Sequence, residues 1–167
     1  MPERTLIELL HGRGAHADPV ACVEDLAAEL AGRLVDKFPH SIWQLVFHMN
    51  YWMDYELRRI RGGRPPYPEH AAESWPPHSG PAGEGEWRKS VSRFAALIEA
   101  LVALARSTPE ELQRDVEPMH PIDKQHSSTV CAVLWQMMAH NSYHIGQIAL
   151  LRRALGAWPP RDGGDTW

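Results

Sequence analysis

The chain has 167 residues, a formal charge of -4 and a hydrophobic content of 44%, which is enough apolar material for one domain with its own core. Its mildly acidic balance, with a pI near 6.2, argues against a nucleic-acid-binding protein, which usually carries a basic face. No run of about 18 apolar residues occurs, so no membrane partner or spanning helix is expected. The first residues lack the basic and apolar regions of a signal peptide, which favours a cytoplasmic protein.

Cysteine is scarce and histidine is abundant. Cys22 and Cys131 are far apart in the sequence and form no CxxC pair. In a cytoplasmic protein both are expected to be reduced, buried and unreactive. The ten histidines are numerous enough to raise the question of a metal site.

The N-terminal part is predicted to hold a short helix and a long one. Residues 4–11 fit a short helix, which the glycines after it would end. Asp18 is a good N-cap and Pro19 a good first helical residue. Apolar residues then recur at helical spacing, so the pattern predicts a long helix over residues 19–35.

Three further amphipathic helices are predicted from apolar spacing and from start and stop signals. They cover residues 41–61, 86–106 and 128–155. Ser41 is the expected N-cap of the first of these helices, and Ser127 or Ser128 is the expected N-cap of the last.

Residues 62–85 form a long connection between the second and third long helices. Eleven of these 24 positions are Pro or Gly, which excludes a regular element, while Tyr67 and Trp75 indicate that parts of the connection pack against the domain. Long ordered loops in compact domains are often functional lids. Four long helices with one long connection describe an all-α four-helix bundle, with residues 1–167 as a single domain.

Two histidines, His140 and His144, lie one turn apart inside the apolar stripe of the last helix. With ten histidines in the chain, random placement gives about half of one such pair, so the spacing alone is weak evidence. The ordinary alternative is a pair of core histidines that are hydrogen-bonded to carbonyl groups.

A third histidine, His48, lies on the apolar edge of the second long helix. If that helix lies beside the last one, three imidazoles reach one metal ion and leave positions open for water or substrate. Imidazole suits zinc, nickel, copper and iron(II). Zinc or nickel is the expected ion, with iron(II) as an alternative. Position 141 is Asn, so the HExxH arrangement of zinc proteases is absent.

Four other side chains are candidates for the walls of this site. Trp52 and Met137 each lie one turn from one of the three histidines, and ordinary core packing is their alternative role. Glu56, two turns from His48, is a candidate outer carboxylate, with an ion pair to an arginine as the alternative. His16, in the loop before residue 19, is a candidate for the mouth of the site. The other histidines of loops and ends are expected to be solvated: His11, His70, His78, His120 and His126.

Two segments, Pro39–Trp52 (PHSIWQLVFHMNYW) and Met138–Pro160 (MAHNSYHIGQIALLRRALGAWPP), resemble the DinB superfamily. The resemblance implies an up-down-down-up four-helix bundle, frequent homodimers and a divalent metal ion on His48, His140 and His144. Characterised members of the family include bacillithiol S-transferases and mycothiol-dependent maleylpyruvate isomerases.

Two classes of function agree with these patterns. In the first, an enzyme uses the metal ion to activate a low-molecular-weight thiol for transfer to an electrophile, or to activate water as a metal-dependent hydrolase. In the second, the metal ion ties two helices together in a non-catalytic dimerisation or binding module.

Overall fold

A computed structural model describes residues 2–117 and 128–162 of the chain. Among the described residues the regular elements are helices apart from two short strands, so the all-α class is confirmed. The helices are α1 (Pro2–Leu10), α2 (Ala21–Glu24), α3 (Ala28–Ala31), α4 (Ile42–Ile60), α5 (Glu84–Ala105), α6 (Pro109–Leu112) and α7 (Val130–Ala154). Strands β1 (Asp115–Val116) and β2 (Ser128–Thr129) pair antiparallel.

The predicted long helix over residues 19–35 is wrong. The segment holds only the one-turn helices α2 and α3, with Ala27 in an extended conformation between them (φ -79°, ψ 152°). The carbonyl of Leu26 accepts the Trp87 indole N–H at 2.7 Å, and the N–H of Ala28 donates to the Glu84 carboxylate at 2.9 Å. Both partners belong to α5, so tertiary hydrogen bonds replace the intrahelical ones at the break.

The short helix α1 packs in the place predicted for a long helix over residues 19–35. Helix α1 packs against α5 and α7, and α4 packs against the same two helices. Leu6 and Leu10 bury their side chains in the common core. None of the helices within the described ranges is long and apolar enough to cross a membrane.

Helix α4 begins at a complete capping box, close to the predicted start. The Ser41 hydroxyl accepts from the N–H of Gln44, and the Gln44 side chain accepts from the N–H of Ser41, so two N–H groups at the helix start are satisfied. Gly62 follows the helix with a φ of +83°, a conformation that glycine adopts without strain.

Helix α7 is capped by a residue other than those predicted. The Thr129 hydroxyl accepts from the N–H of Ala132 at 3.2 Å. Ser128 lies in β2, because the strand pairing extends to the residue before the helix. Ser127 lies outside the described residues, as do His120 and His126.

The connection between α4 and α5 lies against the domain. Its one regular element among the described residues is a 3-10 helix, Ala71–Ser74. Near its end, the carbonyl of Ser79 accepts a hydrogen bond from the Ser41 hydroxyl. The next residue, Gly80, touches the turn after α3 so closely that a Cβ on Gly32 would lie 2.6 Å from the Gly80 Cα.

Candidate metal centre

Three imidazoles converge between α4 and α7. His140 Nε2 lies 3.2 Å from His48 Nε2 and 3.2 Å from His144 Nε2. One ring nitrogen of each residue lies within 4.8 Å of those of the other two. The i, i+4 spacing places His140 and His144 on one side of α7, and the packing of α4 on α7 adds His48.

The hydrogen bonds on the far side of two rings determine which nitrogens face the centre. His48 Nδ1 lies 3.3 Å from the carbonyl oxygen of Ser74, and His144 Nδ1 lies 2.7 Å from Gln147 Oε1. Because these oxygens can only accept, the two Nδ1 atoms carry the protons. In the neutral rings, both Nε2 lone pairs therefore point towards His140 Nε2.

Hydrogen bonds among the three rings cannot satisfy this arrangement. A proton on His140 Nε2 can serve only one of the two facing lone pairs, so at least one pair of nitrogens meets without a hydrogen between them. A shared cation removes the conflict. Metal–nitrogen bonds of about 2.1 Å at the tetrahedral angle of about 109° place two ligand atoms about 3.4 Å apart, which is close to the observed 3.2 Å.

The electrostatics keep the three rings neutral. Burial, followed by the neighbouring imidazoles, lowers the pKa of His48 to about 3. Burial and His144 lower the pKa of His140 to about 4, and burial also lowers the pKa of His144. A neutral imidazole is the form that binds a metal ion, so the ligands are available at neutral pH.

The connection between α4 and α5 contributes a ring that the sequence did not assign to the site. The Trp75 indole stacks on His48, with ring centroids 3.9 Å apart and planes 9° apart. Its other face stacks on His40, at 3.8 Å and 10°. The only signal in the sequence was that Trp75 is a large apolar residue in a Pro/Gly-rich stretch, which predicts packing but not the partner.

Trp52, which was a candidate for a wall of the site, lies beside the three histidines. Its ring meets His48 edge to face, with centroids 6.4 Å apart and an angle of 78°. Trp52 also contacts Tyr55 and Tyr67, and Tyr67 comes from the connection and is 51% exposed. Aromatic rings therefore extend from His48 to the surface.

The other three candidates have partners of their own. Met137 is 3% exposed and belongs to the hydrophobic core. Glu56 forms an ion pair with Arg59 at 2.9 Å, which is the alternative that the sequence offered. His16 places Nε2 2.8 Å from Ser142 Oγ and Nδ1 2.8 Å from its neighbouring carbonyl oxygen, so neither ring nitrogen is turned to the three-histidine group.

Among the histidines expected to be solvated, two are exposed and one is not. His70 and His78 are exposed. The side chain of His11 is 25% exposed, and its Nε2 lies 3.7 Å from Glu99 Oε1, since the ring lies between α1 and α5, which pack together.

Comparison with known proteins agrees with the resemblance of the two histidine-bearing segments. The family model of the DinB superfamily matches residues 13–148, a range that includes α4, α5 and all three clustered histidines. Comparisons with curated proteins and with solved structures found no match. The family match spans most of the sequence, and the chain therefore belongs to the DinB superfamily.

Proposed function

We propose that this protein binds one divalent metal ion through the Nε2 atoms of His48, His140 and His144. The observation that carries the proposal is the convergence of three neutral imidazoles. Their facing nitrogens have more lone pairs than protons, so hydrogen bonds among the rings cannot satisfy them all. Three neutral ligands leave the ion its full charge and leave coordination positions open. Zinc or nickel is the proposed ion, and iron(II) is the alternative.

We further propose that the protein is a metal-dependent thiol S-transferase, which joins a low-molecular-weight thiol to an electrophile. A bound divalent ion supplies charge that lowers the pKa of a thiol or of water, so that a nucleophile forms near neutral pH. The thiol-dependent enzymes of the family support the choice of thiol.

The acidity of the two nucleophiles favours the thiol over water. Zinc-bound water has a pKa of about 7, whereas a thiol that coordinates the ion is deprotonated outright. Within the described residues, the group of potential ligands consists of histidines alone, so no carboxylate reduces the charge of the ion. Hydrolysis by metal-bound water is the alternative reaction.

The chain's own residues have three tasks in this reaction. The carbonyl of Ser74 and the side chain of Gln147 fix the proton on Nδ1 of their histidines, which presents Nε2 to the ion. Burial keeps the ligands neutral. Trp75 covers one face of the His48 ring and so excludes water from that side.

Two proposals on architecture rest on the family resemblance. Helices α1, α4, α5 and α7 are proposed to follow the up-down-down-up order, and the protein is proposed to form a homodimer. Light scattering after gel filtration tests the second, because a dimer has twice the chain mass of 18.9 kDa. A mass of one chain across the micromolar range would contradict it.

Elemental analysis of untagged protein tests the metal site. We expect one equivalent of metal in the parent and almost none in His48→Ala or His140→Ala, because two imidazoles are too few ligands for tight binding. His16→Ala is the matched control, since both of its ring nitrogens are bonded elsewhere. Equal metal contents in the parent and the two triad variants would show that the triad is not the site.

A panel of low-molecular-weight thiols with a generic electrophile tests the reaction. We expect thiol consumption with metal-loaded protein, and none after chelation or in His144→Ala. Ester hydrolysis without any thiol would identify a hydrolase instead. Absence of both activities, together with a large fall in the melting temperature on chelation, would identify a non-catalytic module.

A further inference from the structure

We infer that Ser74 and Trp75 position His48 for the metal ion, so that the connection between α4 and α5 sets the affinity and geometry of the site. The inference rests on the proposed metal binding. Its basis is that two consecutive residues of the connection make two different contacts with one imidazole.

The first contact fixes the proton of the ring. Ser74 is 1% exposed, and its carbonyl oxygen lies 3.3 Å from His48 Nδ1. A backbone acceptor at this atom holds the proton on Nδ1 and keeps Nε2 free as a ligand. Outer partners of this kind determine the orientation and basicity of metal-bound histidines.

The second contact fixes the plane of the ring. Trp75 lies between two imidazoles in a nearly parallel stack, with His48 on one face and His40 on the other. A stacked ring can slide or turn within its plane, but tilting it breaks the contact over the whole face. The edge of the same indole also faces His144, with centroids 6.2 Å apart, so Trp75 contacts two of the three proposed ligands.

The backbone that carries these residues is held on both sides. Before it, the Tyr67 ring packs against Trp52 and Tyr55 of α4. After it, the Ser79 carbonyl accepts from the hydroxyl of Ser41 at the start of α4. The segment is therefore anchored to the helix that supplies His48, which allows it to act as a fixed support.

Trp75 could either only fill space in the core or also position His48, and the two roles predict different results for a folded Trp75 variant. If Trp75 only fills space, its loss lowers the stability of the protein and leaves the metal site unchanged. If Trp75 positions His48, its loss changes metal affinity and coordination geometry even where the fold remains intact.

The test compares Trp75→Ala, Trp75→Phe and Trp158→Ala. Trp158 is also partly buried but contacts Arg153 at the C-terminal end. We expect Trp75→Ala to weaken Zn²⁺ binding by about 10- to 100-fold, measured by competition with a chelating indicator. We also expect a shift of its Co²⁺ absorption spectrum. Phenylalanine keeps a flat ring, so Trp75→Phe should recover most of the Zn²⁺ affinity and most of the Co²⁺ spectrum of the parent. Trp158→Ala should match the parent in both measurements.

Circular dichroism and melting in chelator establish whether Trp75→Ala is folded. A folded Trp75→Ala with the parent's Zn²⁺ affinity and Co²⁺ spectrum would overturn the inference and leave the proposed metal function standing. If the parent protein bound neither Zn²⁺ nor Co²⁺, both the positioning inference and the proposed metal function would be overturned.

His40→Ala decides the question if Trp75→Ala does not fold. This change removes the outer partner of the stack without touching His48, and we expect a weakening near the lower end of the same range, about 10-fold or less. The weaker binding in His40→Ala should be accompanied by a shift of its Co²⁺ absorption spectrum. Unchanged affinity together with an unchanged spectrum in His40→Ala would then count against positioning.

Discussion

Two buried polar clusters join α7 to other parts of the chain, and they are built on opposite principles. At the C-terminal end of α7, Arg152 is 2% exposed. Its guanidinium donates to both carboxylate oxygens of Asp25, at 2.6 and 3.2 Å, and to the carbonyls of Cys22 and Ala157, at 2.8 and 2.9 Å. Charge and hydrogen-bonding capacity are both matched, as a buried ion pair requires.

The three-histidine cluster carries no charge, and its hydrogen-bonding capacity is not matched. Its members are the same kind of group, their ring nitrogens approach to 3.2 Å, and they have more facing lone pairs than protons. His48 and His144 are nonetheless only 8% and 6% exposed. Burial of polar groups therefore does not by itself indicate function. A cluster whose donors and acceptors pair among themselves holds the fold together, whereas one whose facing lone pairs outnumber its protons indicates a binding site.

The largest expected effect on stability comes from breaking the cluster around Arg152. Arg152→Met leaves the two carbonyls without their donor and leaves Asp25 with only the backbone N–H of Arg161. We expect it to lower the free energy of unfolding by about 3–5 kcal/mol. Urea denaturation measures the change. Arg153→Met is the matched control: its side chain is exposed over the Trp158 ring, so it should cost at most about 1 kcal/mol. Similar losses in the two variants would contradict the distinction.

The second effect is the response of the metal-free protein to acid. The native pKa values of His48 and His140, about 3 and about 4, lie below the unfolded value of about 6.5. Between these limits the unfolded chain binds more protons, so stability falls as pH falls, by at most about 1.4 kcal/mol per pH unit for each proton. Denaturation in chelator at pH 7, 6 and 5 measures the slope.

The matched variant for this pH series is His48→Gln. It removes one titrating ring and should give a shallower slope than the parent. A slope that is the same in both proteins would show that His48 does not contribute to the acid sensitivity.

The third effect concerns His16. Like Arg152, this residue has hydrogen-bond partners within the protein, one for each of its ring nitrogens. His16→Gln should lower the free energy of unfolding by about 1 kcal/mol, the usual net value of a lost hydrogen bond. Its metal content should equal that of the parent. Loss of metal in this variant would show that His16 belongs to the metal site and that its two hydrogen bonds are not its only role.

The smallest expected effect is the loss of one imidazole from the metal-free site. His140→Gln should change the unfolding free energy in chelator by less than about 1 kcal/mol, because it removes a ring that faces like groups and so relieves their conflict. In the parent, added zinc should raise the melting temperature, and in His140→Gln this rise should disappear. A large loss of stability without metal would mean that the rings support the fold by themselves.

Helices α4 and α7 could be predicted because their signals are local. The Ser41 hydroxyl caps α4 by accepting from the N–H of Gln44, three residues further on. His140 and His144 share a helix face by spacing alone. The position of His48 opposite them needed only the expectation that the two helices pack together. Local signals and this one packing expectation therefore sufficed to bring the three proposed ligands together.

The break between α2 and α3 could not be predicted, because its cause lies elsewhere in the chain. Residues 19–35 have helical spacing, but the hydrogen-bond partners of Leu26 and Ala28 are Trp87 and Glu84. Trp75 presented the same difficulty. Its sandwich between His40 and His48 depends on the path of a connection with little regular structure, which no periodic pattern describes.

The contact of Gly32 with Gly80 connects the N-terminal region to the site. A methyl group on Gly32 would meet the backbone of Gly80 at 2.6 Å, so the two segments would have to separate. Gly80 directly follows Ser79, which is bonded to Ser41, and lies five residues beyond Trp75. A larger residue at position 32 would therefore displace the backbone that follows Trp75, so a turn that supplies none of the three histidines can still affect the proposed site.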